Sequence, residues 1–220
     1  MNDDSTTASS QPDSIPSSKV LNVPNQLTIA RLLLSIVCFV FLVFDCYLIA
    51  LVLFVLAAGT DWVDGFWARR YGQITQLGRI LDPFADKIII CGTFIFLAAV
   101  PRPIQSPAPS EIAAWMAVVV VARELLVTAL RSFFEEQGVD FSAQWAGKWK
   151  MVFQCLAVGV SLWRLWYYQY DATTQYWPDL PSGPPPWTTW SLRLLVWVAV
   201  VMTIYSGWGY VQTALRMLKK

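Results

Sequence analysis

Long apolar blocks separated by short polar connections make up most of the chain after residue 26. Six of them come close to the length of about 20 residues that a helix needs to cross a bilayer. The blocks cover residues 27–44, 47–70, 80–100, 112–134, 147–168 and 188–216. We expect helices, because inside lipid a helix satisfies its own backbone polar groups. The pattern therefore predicts an all-α fold, a polytopic membrane protein built as a six-transmembrane-helix bundle.

Two segments depart from this pattern. Residues 1–18 are rich in Ser, Thr, Asp and Pro and lack apolar periodicity, which predicts a disordered tail. We expect residues 19–220 to form the membrane domain. Residues 169–187 are rich in Pro and aromatic side chains. This composition favours an external loop at the membrane interface, and a flexible linker is an equally good interpretation.

Composition narrows the chemistry that the chain can perform. Charged residues make up 14% of the 220 residues, against about 25% in an average soluble domain. There is no His, which excludes a Ser–His–Asp triad and a His-ligated zinc. The four Cys show no CxxC spacing, so we expect neither a disulfide framework nor a thiolate metal site. A net charge of +1 predicts no nucleic-acid partner. Catalysis would then depend on carboxylates, Lys, Arg or metal ions.

Cations are distributed unevenly around the apolar blocks, and this distribution predicts the topology. The connections that follow the first, third and fifth blocks contain a single cation, Arg102. The cations after the second, fourth and sixth blocks are Arg69, Arg70, Arg79, Arg131, Lys148, Lys150, Arg216, Lys219 and Lys220. Because cytoplasmic connections carry the excess of Lys and Arg, both termini are predicted to lie in the cytoplasm. We expect a multi-pass protein of the inner (plasma) membrane.

Ionisable residues inside the apolar blocks are the strongest functional signal. A buried charge costs roughly 2.5–3.5 kcal/mol per residue on insertion scales, and such residues are functional candidates by default. They gather toward the predicted cytoplasmic ends of blocks two, three and four. The set is Asp61, Asp64, Asp82, Asp86, Arg123, Glu124 and Arg131.

The aspartates are spaced as pairs on helix faces. Asp61 and Asp64 are three positions apart, and Asp82 and Asp86 are four apart. Clustered carboxylates repel one another unless cations or protons lie between them. Carboxylate oxygens suit hard cations such as Mg²⁺ or Mn²⁺. Two such ions about 3.5–4 Å apart would suit phosphoryl chemistry.

Each aspartate also has a structural interpretation. Asp82 precedes Pro83, which is typical of a helix N-cap followed by Pro in the first turn. Asp86 could pair with Lys87 or a nearby Arg. Asp61 and Asp64 could be interfacial charges at a helix end. We favour the metal site, because four such coincidences within 26 residues are improbable.

The segment from Asp61 to Asp86 resembles the signature of the CDP-alcohol phosphotransferases. The signature runs Asp, two residues, Asp-Gly, two residues, Ala-Arg, eight residues, Gly, three residues, Asp, three residues, Asp. Every fixed position is filled, by Asp61, Asp64, Gly65, Ala68, Arg69, Gly78, Asp82 and Asp86. The resemblance implies a six-helix membrane bundle that forms a homodimer.

Further segments are similar to one branch of the family, the bacterial enzymes that use glycerol 3-phosphate as acceptor. The similarity lies in residues 22–34, at the entry to the first block, and in residues 122–138 and 145–154 of the fourth and fifth. The branch implies transfer of a phosphatidyl group from CDP-diacylglycerol to glycerol 3-phosphate, which yields phosphatidylglycerophosphate and CMP. It also implies contact with membrane lipids.

The resemblance assigns a role to each matching residue. Asp61, Asp64 and Asp82 would ligate two divalent ions, and Asp86 would lie near the second ion and act as general base. Arg123, Arg131 and Lys148 would hold the acceptor's phosphate, and Glu124 would orient Arg131. Lys150 and Arg70 are interpreted as positive flanking charges. The residues implied to line the CDP pocket are Gly65, Ala68, Arg69 and Gly78. Asn25, Thr28 and Arg31 are possible nucleotide or phosphate ligands, with helix capping an equally good role for Asn25 and Thr28.

Three alternatives stay open at this point. Another member of the same family would use inositol phosphate, serine or a lipid alcohol as acceptor, and the aspartate signature does not separate these. A cation transporter would place its charges near the middle of the membrane on discontinuous helices. A membrane scaffold without activity would leave the aspartates unexplained.

Overall fold

Six helices account for almost all of the structure. The computed structural model describes residues 23–71, 76–100, 110–137, 145–173 and 185–218, and the side chains of residues 61–71 and 76–82 are outside the described part. Within these ranges there is no strand. The helices are α1 Val23–Val43, α2 Tyr47–Tyr71, α3 Gln76–Ala99, α4 Ala114–Glu136, α5 Trp145–Thr173 and α6 Pro186–Leu218.

The helical prediction is confirmed in number and order, and it is wrong at several boundaries. For example, α3 begins at Gln76, four residues before the predicted start at residue 80. Asp82 is therefore not an N-cap, and Pro83 lies inside the helix. A proline there removes one backbone hydrogen bond, and helices in apolar surroundings tolerate this when neighbouring groups compensate.

The segment predicted as an external loop is partly helical. α5 continues to Thr173 and α6 begins at Pro186, so the loop prediction for 169–187 is wrong at both ends. The remaining residues of that segment, and the predicted tail 1–18, lie outside the described residues.

The turn between α1 and α2 shows how the helices reverse direction. Asp45 has a positive φ of 56°, a conformation that Asp adopts more readily than most residues. The amide of Cys46 donates to the carbonyl of Phe41 at 2.9 Å, which closes the end of α1. The Tyr47 hydroxyl donates to Asp45 Oδ1 at 2.6 Å. This turn therefore joins α1 and α2 through three intervening residues.

The bundle has two halves that differ in chemistry. Near Asp45, a small cavity is lined by residues of the α1–α2 turn and by Leu97 and Val100 at the end of α3. Ser110 Oγ donates to the Leu97 carbonyl at 2.7 Å, so the start of α4 lies in the same half. We call this the Asp45 half. The other half contains the end of α2, the start of α3 and Asp86, and we call it the signature half.

Apolar side chains fill the centre of the bundle and also cover its outside. Phe54, Phe94 and Leu162 are examples of the buried core, with exposures of 2%, 0% and 0%. All six helices also expose large apolar side chains, for example Leu33, Val55, Ile95, Val118, Leu156 and Leu194. In the described residues, two stretches are long and apolar enough to cross a membrane by length and composition, Gln26–Val43 and Trp187–Met217. The apolar exterior indicates association with a membrane.

Candidate functional site

The aspartate signature lies where α2 ends and α3 begins. The backbone is helical at Asp61 and Asp64 on α2 and at Asp82 and Asp86 on α3. Asp86 is the one signature residue whose side chain is among those described. The metal prediction for the other three aspartates falls outside the described side chains, as does the CDP-pocket prediction for Gly65, Ala68, Arg69 and Gly78.

Asp86 forms an ion pair with Arg31 of α1. The Arg31 Nη1 lies 2.6 Å from Asp86 Oδ1, and the Arg31 side chain is 1% exposed against 27% for Asp86. Arg31 therefore fixes the carboxylate beside the packed interface of α1 and α3. The structural alternative considered for Asp86, a pair with a nearby Arg, is present in the molecule.

The first turns of α1 supply further polar groups next to this ion pair. Thr28 is 2% exposed, one turn before Arg31. Ser35 Oγ donates to the Arg31 carbonyl at 2.8 Å, one turn after it. The side chain of Asn25 lies outside the described residues. Arg31 is thus a positioning group for Asp86 in this structure, and its predicted contact with nucleotide or phosphate stays a prediction.

Lys87 connects the Asp86 region with the basic residues of α4. Its Nζ donates to the Pro83 carbonyl at 2.9 Å, one turn back on α3. Its ammonium also interacts electrostatically with Asp86, Glu124 and Arg131. The acidic signature and the predicted acceptor clamp are therefore within electrostatic range of each other.

Lys150 overturns its interpretation as a flanking charge. It is 6% exposed and forms a hydrogen-bonded ion pair with Glu124 Oε1. The reason is geometric, because its position early in α5 faces α4 inside the bundle, so the ammonium needs a buried counter-ion. Glu124 contacts Lys150 and Arg123, and it is not the partner of Arg131 that we expected.

Arg123 lies at the centre of a polar group built from three helices. Its Nη1 donates to Glu124 Oε1 at 3.1 Å, and its Nη2 donates to Ser206 Oγ of α6 at 2.6 Å. Its guanidinium carbon lies 5.7 Å from the centre of the Tyr210 ring, a cation–π contact. Arg123 therefore takes part in a polar network between helices, which a membrane-flanking cation would not do.

Arg131 is brought to the same group and Lys148 is not. Arg131 Nη2 lies 3.5 Å from the Tyr210 hydroxyl, at the long limit for a hydrogen bond. Lys148 is exposed, and no contact of its side chain with the two arginines is among those described. Two of the three residues predicted to hold the acceptor's phosphate thus share a neighbour in Tyr210.

The electrostatics of this group favour an anion. Arg123, Arg131 and Lys150 contribute three positive charges. In the described residues, Glu124 contributes the one carboxylate of this group, and it contacts Arg123 and Lys150. We call these four residues the basic cluster. Its excess positive charge suits a phosphate with two negative charges.

Sequence reasoning missed the α6 members of the site. Ser206 and Tyr210 were not singled out, although a serine, two glycines and a tyrosine in the run SGWGY are unusual within an apolar block. Their spacing of four residues places them on one face of α6. This small-and-polar run inside the sixth apolar block was the available signal.

Comparison with known proteins decides the family. The model of the CDP-alcohol phosphatidyltransferase family matches residues 21–205 of this chain. The chain belongs to the CDP-alcohol phosphatidyltransferase family. Its membership confirms the resemblance carried by residues 61–86. Members of this family generally depend on a divalent metal.

Several curated bacterial proteins are similar over nearly the whole chain. One from Bacillus subtilis (strain 168) is 31% identical over 215 residues, 91% of this chain and 98% of its own length. One from Escherichia coli (strain K12) is 32% identical, over 88% of this chain and 94% of its own. One from Haemophilus influenzae is 29% identical, over 88% and 93%. All three are named CDP-diacylglycerol–glycerol-3-phosphate 3-phosphatidyltransferase.

Proposed function

We propose that this family member transfers a phosphatidyl group from CDP-diacylglycerol to glycerol 3-phosphate, giving phosphatidylglycerophosphate and CMP. The observation that carries the choice of acceptor is the basic cluster, where three cations accompany one carboxylate that contacts two of them. A phosphorylated acceptor would balance this excess charge, whereas serine would not. The names of the similar bacterial proteins support the same acceptor.

The proposed architecture is a bundle of six membrane-spanning helices that forms a homodimer in the inner (plasma) membrane. Support comes from the large apolar side chains that each helix exposes. The excess of Lys and Arg on one side supports cytoplasmic termini and a cytoplasmic active site. A site at that surface lets a water-soluble acceptor meet a lipid substrate whose acyl chains stay in the bilayer.

The proposed metal ligands are Asp61, Asp64 and Asp82, with Asp86 near the second of two Mg²⁺ or Mn²⁺ ions. The donor set fits these ions, since all four residues offer carboxylate oxygens. Asp86, the one whose side chain is described, pairs with Arg31 and is 27% exposed, so its carboxylate is accessible from outside. The bound ions would neutralise the pyrophosphate and its developing charge.

The chain's own residues would then carry the transfer. Asp86 accepts the proton of the primary hydroxyl of glycerol 3-phosphate. The hydroxyl oxygen forms a bond to the phosphorus that carries the diacylglycerol, and the bond from this phosphorus to the CMP oxygen breaks. Gly65, Ala68, Arg69 and Gly78 would line the pocket that holds the CDP moiety. Arg123 and Arg131 would hold the acceptor's phosphate, with Lys148 at the entrance.

The proposal is tested by CMP release from CDP-diacylglycerol with purified protein and a panel of acceptors. We expect glycerol 3-phosphate to support release, and serine and inositol phosphate to support little. Excess EDTA should abolish release, and Mg²⁺ or Mn²⁺ should restore it. Full turnover in EDTA would contradict the metal site. A preference for serine would contradict the acceptor and leave the family unchanged.

A further inference from the structure

Helix α6 contributes nothing to the aspartate signature, yet it touches both arginines of the basic cluster. Ser206 Oγ accepts a hydrogen bond of 2.6 Å from Arg123 Nη2. The Tyr210 ring lies under the Arg123 guanidinium, and its hydroxyl lies 3.5 Å from Arg131 Nη2. Ser206 is 0% exposed and Tyr210 is 2% exposed. One face of α6 therefore sets where both guanidinium groups lie.

The backbone of α6 is shaped around Arg123. A Cβ atom added at Gly207 would lie 3.1 Å from Arg123 Cγ, closer than side chains normally approach. A Cβ atom at Gly147 of α5 would lie 4.0 Å from Arg123 Nη2, an ordinary contact. A side chain at position 207 would therefore displace the Arg123 side chain by a few tenths of an ångström, and one at position 147 would not.

The position of α6 along α5 is itself fixed one turn earlier. Gln154 Nε2 donates to Thr203 Oγ1 at 2.9 Å, and both side chains are buried, with exposures of 1% and 0%. A buried hydrogen bond between helices resists sliding, because a shift would take the Gln154 amide away from its Thr203 partner. Ser206 and Tyr210 follow on the next turns, so their oxygens are held at fixed heights beside α4.

We propose that Ser206 and Tyr210, with the space left at Gly207, are positioning residues that hold Arg123 and Arg131 at the spacing required by the acceptor's phosphate. Helix α6 then sets the affinity for the phosphorylated acceptor, while the signature on α2 and α3 binds the CDP substrate. The inference rests on the proposed function for the identity of the acceptor.

The test is a steady-state kinetic comparison in which each substrate is varied in turn. Ser206→Ala removes the oxygen that Arg123 bonds, and Tyr210→Phe removes the hydroxyl and keeps the ring. Each should raise the KM for glycerol 3-phosphate about tenfold, equivalent to ~1.4 kcal/mol. The KM for CDP-diacylglycerol and kcat should stay within about twofold. Ser206→Thr keeps the hydroxyl and should restore most of the acceptor affinity.

Two glycine-to-alanine substitutions separate the displacement of Arg123 from the general effect of such a substitution on a helix. Gly207→Ala should raise the acceptor KM as Ser206→Ala does. Gly159→Ala is the matched control, since its added Cβ would meet only Leu51, at 4.0 Å. We expect its kinetics to match those of the wild-type protein.

The outcomes distinguish the two proposals. If the wild-type protein does not use glycerol 3-phosphate, the proposed function is wrong. If it does, and Ser206→Ala and Gly207→Ala leave the acceptor KM unchanged, α6 does not position the arginines. A rise in both KM values together, or in the threonine variant as much as in the alanine variant, would also overturn the inference, because it would indicate general loss of structure.

Discussion

Two clusters of charged side chains connect neighbouring parts of the bundle, and they are organised differently. The basic cluster, Arg123, Glu124, Arg131 and Lys150, joins α4 to α5 and contacts α6 through Tyr210. The second cluster, in the Asp45 half, joins Arg164 of α5 and Arg193 of α6 to Glu111, which lies three residues before α4 begins. Along α5 the two clusters are separated by 14 residues, about 21 Å at the rise of an α-helix.

The second cluster pairs each of its cations with its carboxylate. Glu111 receives two hydrogen bonds of 3.2 Å from Arg193, and Arg164 Nη1 lies 3.6 Å from its Oε1. Arg164 is 0% exposed and also donates to Tyr168 and Thr189. Both arginines therefore contact the one carboxylate, and the arrangement is that of a structural clamp between α5, α6 and the segment before α4.

The basic cluster differs, because one of its cations has no carboxylate partner in the described residues. Arg131 forms no ion pair within the described residues, and its hydrogen bond there, to the Tyr210 hydroxyl, is long at 3.5 Å. It also lies within electrostatic range of Lys87, next to Asp86, whereas the Glu111 cluster has no signature residue near it in the described part. Similar residue types therefore serve packing in one half of the bundle and leave charge available for a ligand in the other.

The largest effect should come from Asp86, on the signature side of this comparison. Asp86→Asn should lower kcat by about 10²–10⁴-fold, the usual contribution of a general base, with binding of CDP-diacylglycerol largely kept. Asp45→Asn is the control in the other half, because Asn also tolerates the positive φ of that turn. Steady-state rates and nucleotide binding measure both. A near-normal rate in Asp86→Asn would show that it is not the base.

Removal of Glu111 should test whether the second cluster is only structural. Glu111→Ala leaves Arg164 buried without its carboxylate, which should lower the free energy of unfolding by about 3–5 kcal/mol. Denaturant or thermal unfolding in detergent measures this loss. The KM for glycerol 3-phosphate should not change in the folded fraction. If the KM for glycerol 3-phosphate rises in Glu111→Ala as it does in Arg123→Ala, the two clusters do not differ in function.

Removal of either arginine of the basic cluster should have a smaller effect that is confined to the acceptor. Arg123→Ala and Arg131→Ala should each raise the KM for glycerol 3-phosphate by at least about tenfold, because charge-assisted hydrogen bonds to phosphate are lost. Arg216→Ala is the matched control, an exposed cation in the last turn of α6. If all three variants behave alike, the cluster is only a diffuse basic surface.

The helices were predictable because each apolar block is continuous and ends at polar residues. The start of α3 was placed four residues too late because the apolar block begins at residue 80, whereas the helix also includes the preceding polar turn. An apolar pattern does not show how far a helix continues into polar residues.

The side-chain partners were less predictable than the helices. Arg123 and Ser206 are 83 positions apart, and Lys150 and Glu124 are 26 apart. Their pairing depends on how α4, α5 and α6 pack, which single-helix patterns do not contain. Lys150 shows the consequence, because a lysine near a helix end looks like a flanking charge until the neighbouring helix is placed beside it.

The most direct test follows the acceptor itself into the product. Purified protein in lipid vesicles is given CDP-diacylglycerol, Mg²⁺ and labelled glycerol 3-phosphate, and both lipid-extractable label and CMP are measured. We predict that label enters the lipid fraction in equal amount to the CMP released, and that Asp86→Asn prevents both. CMP release without transfer of label to lipid, or label transfer to lipid only from another alcohol, would contradict the proposed function.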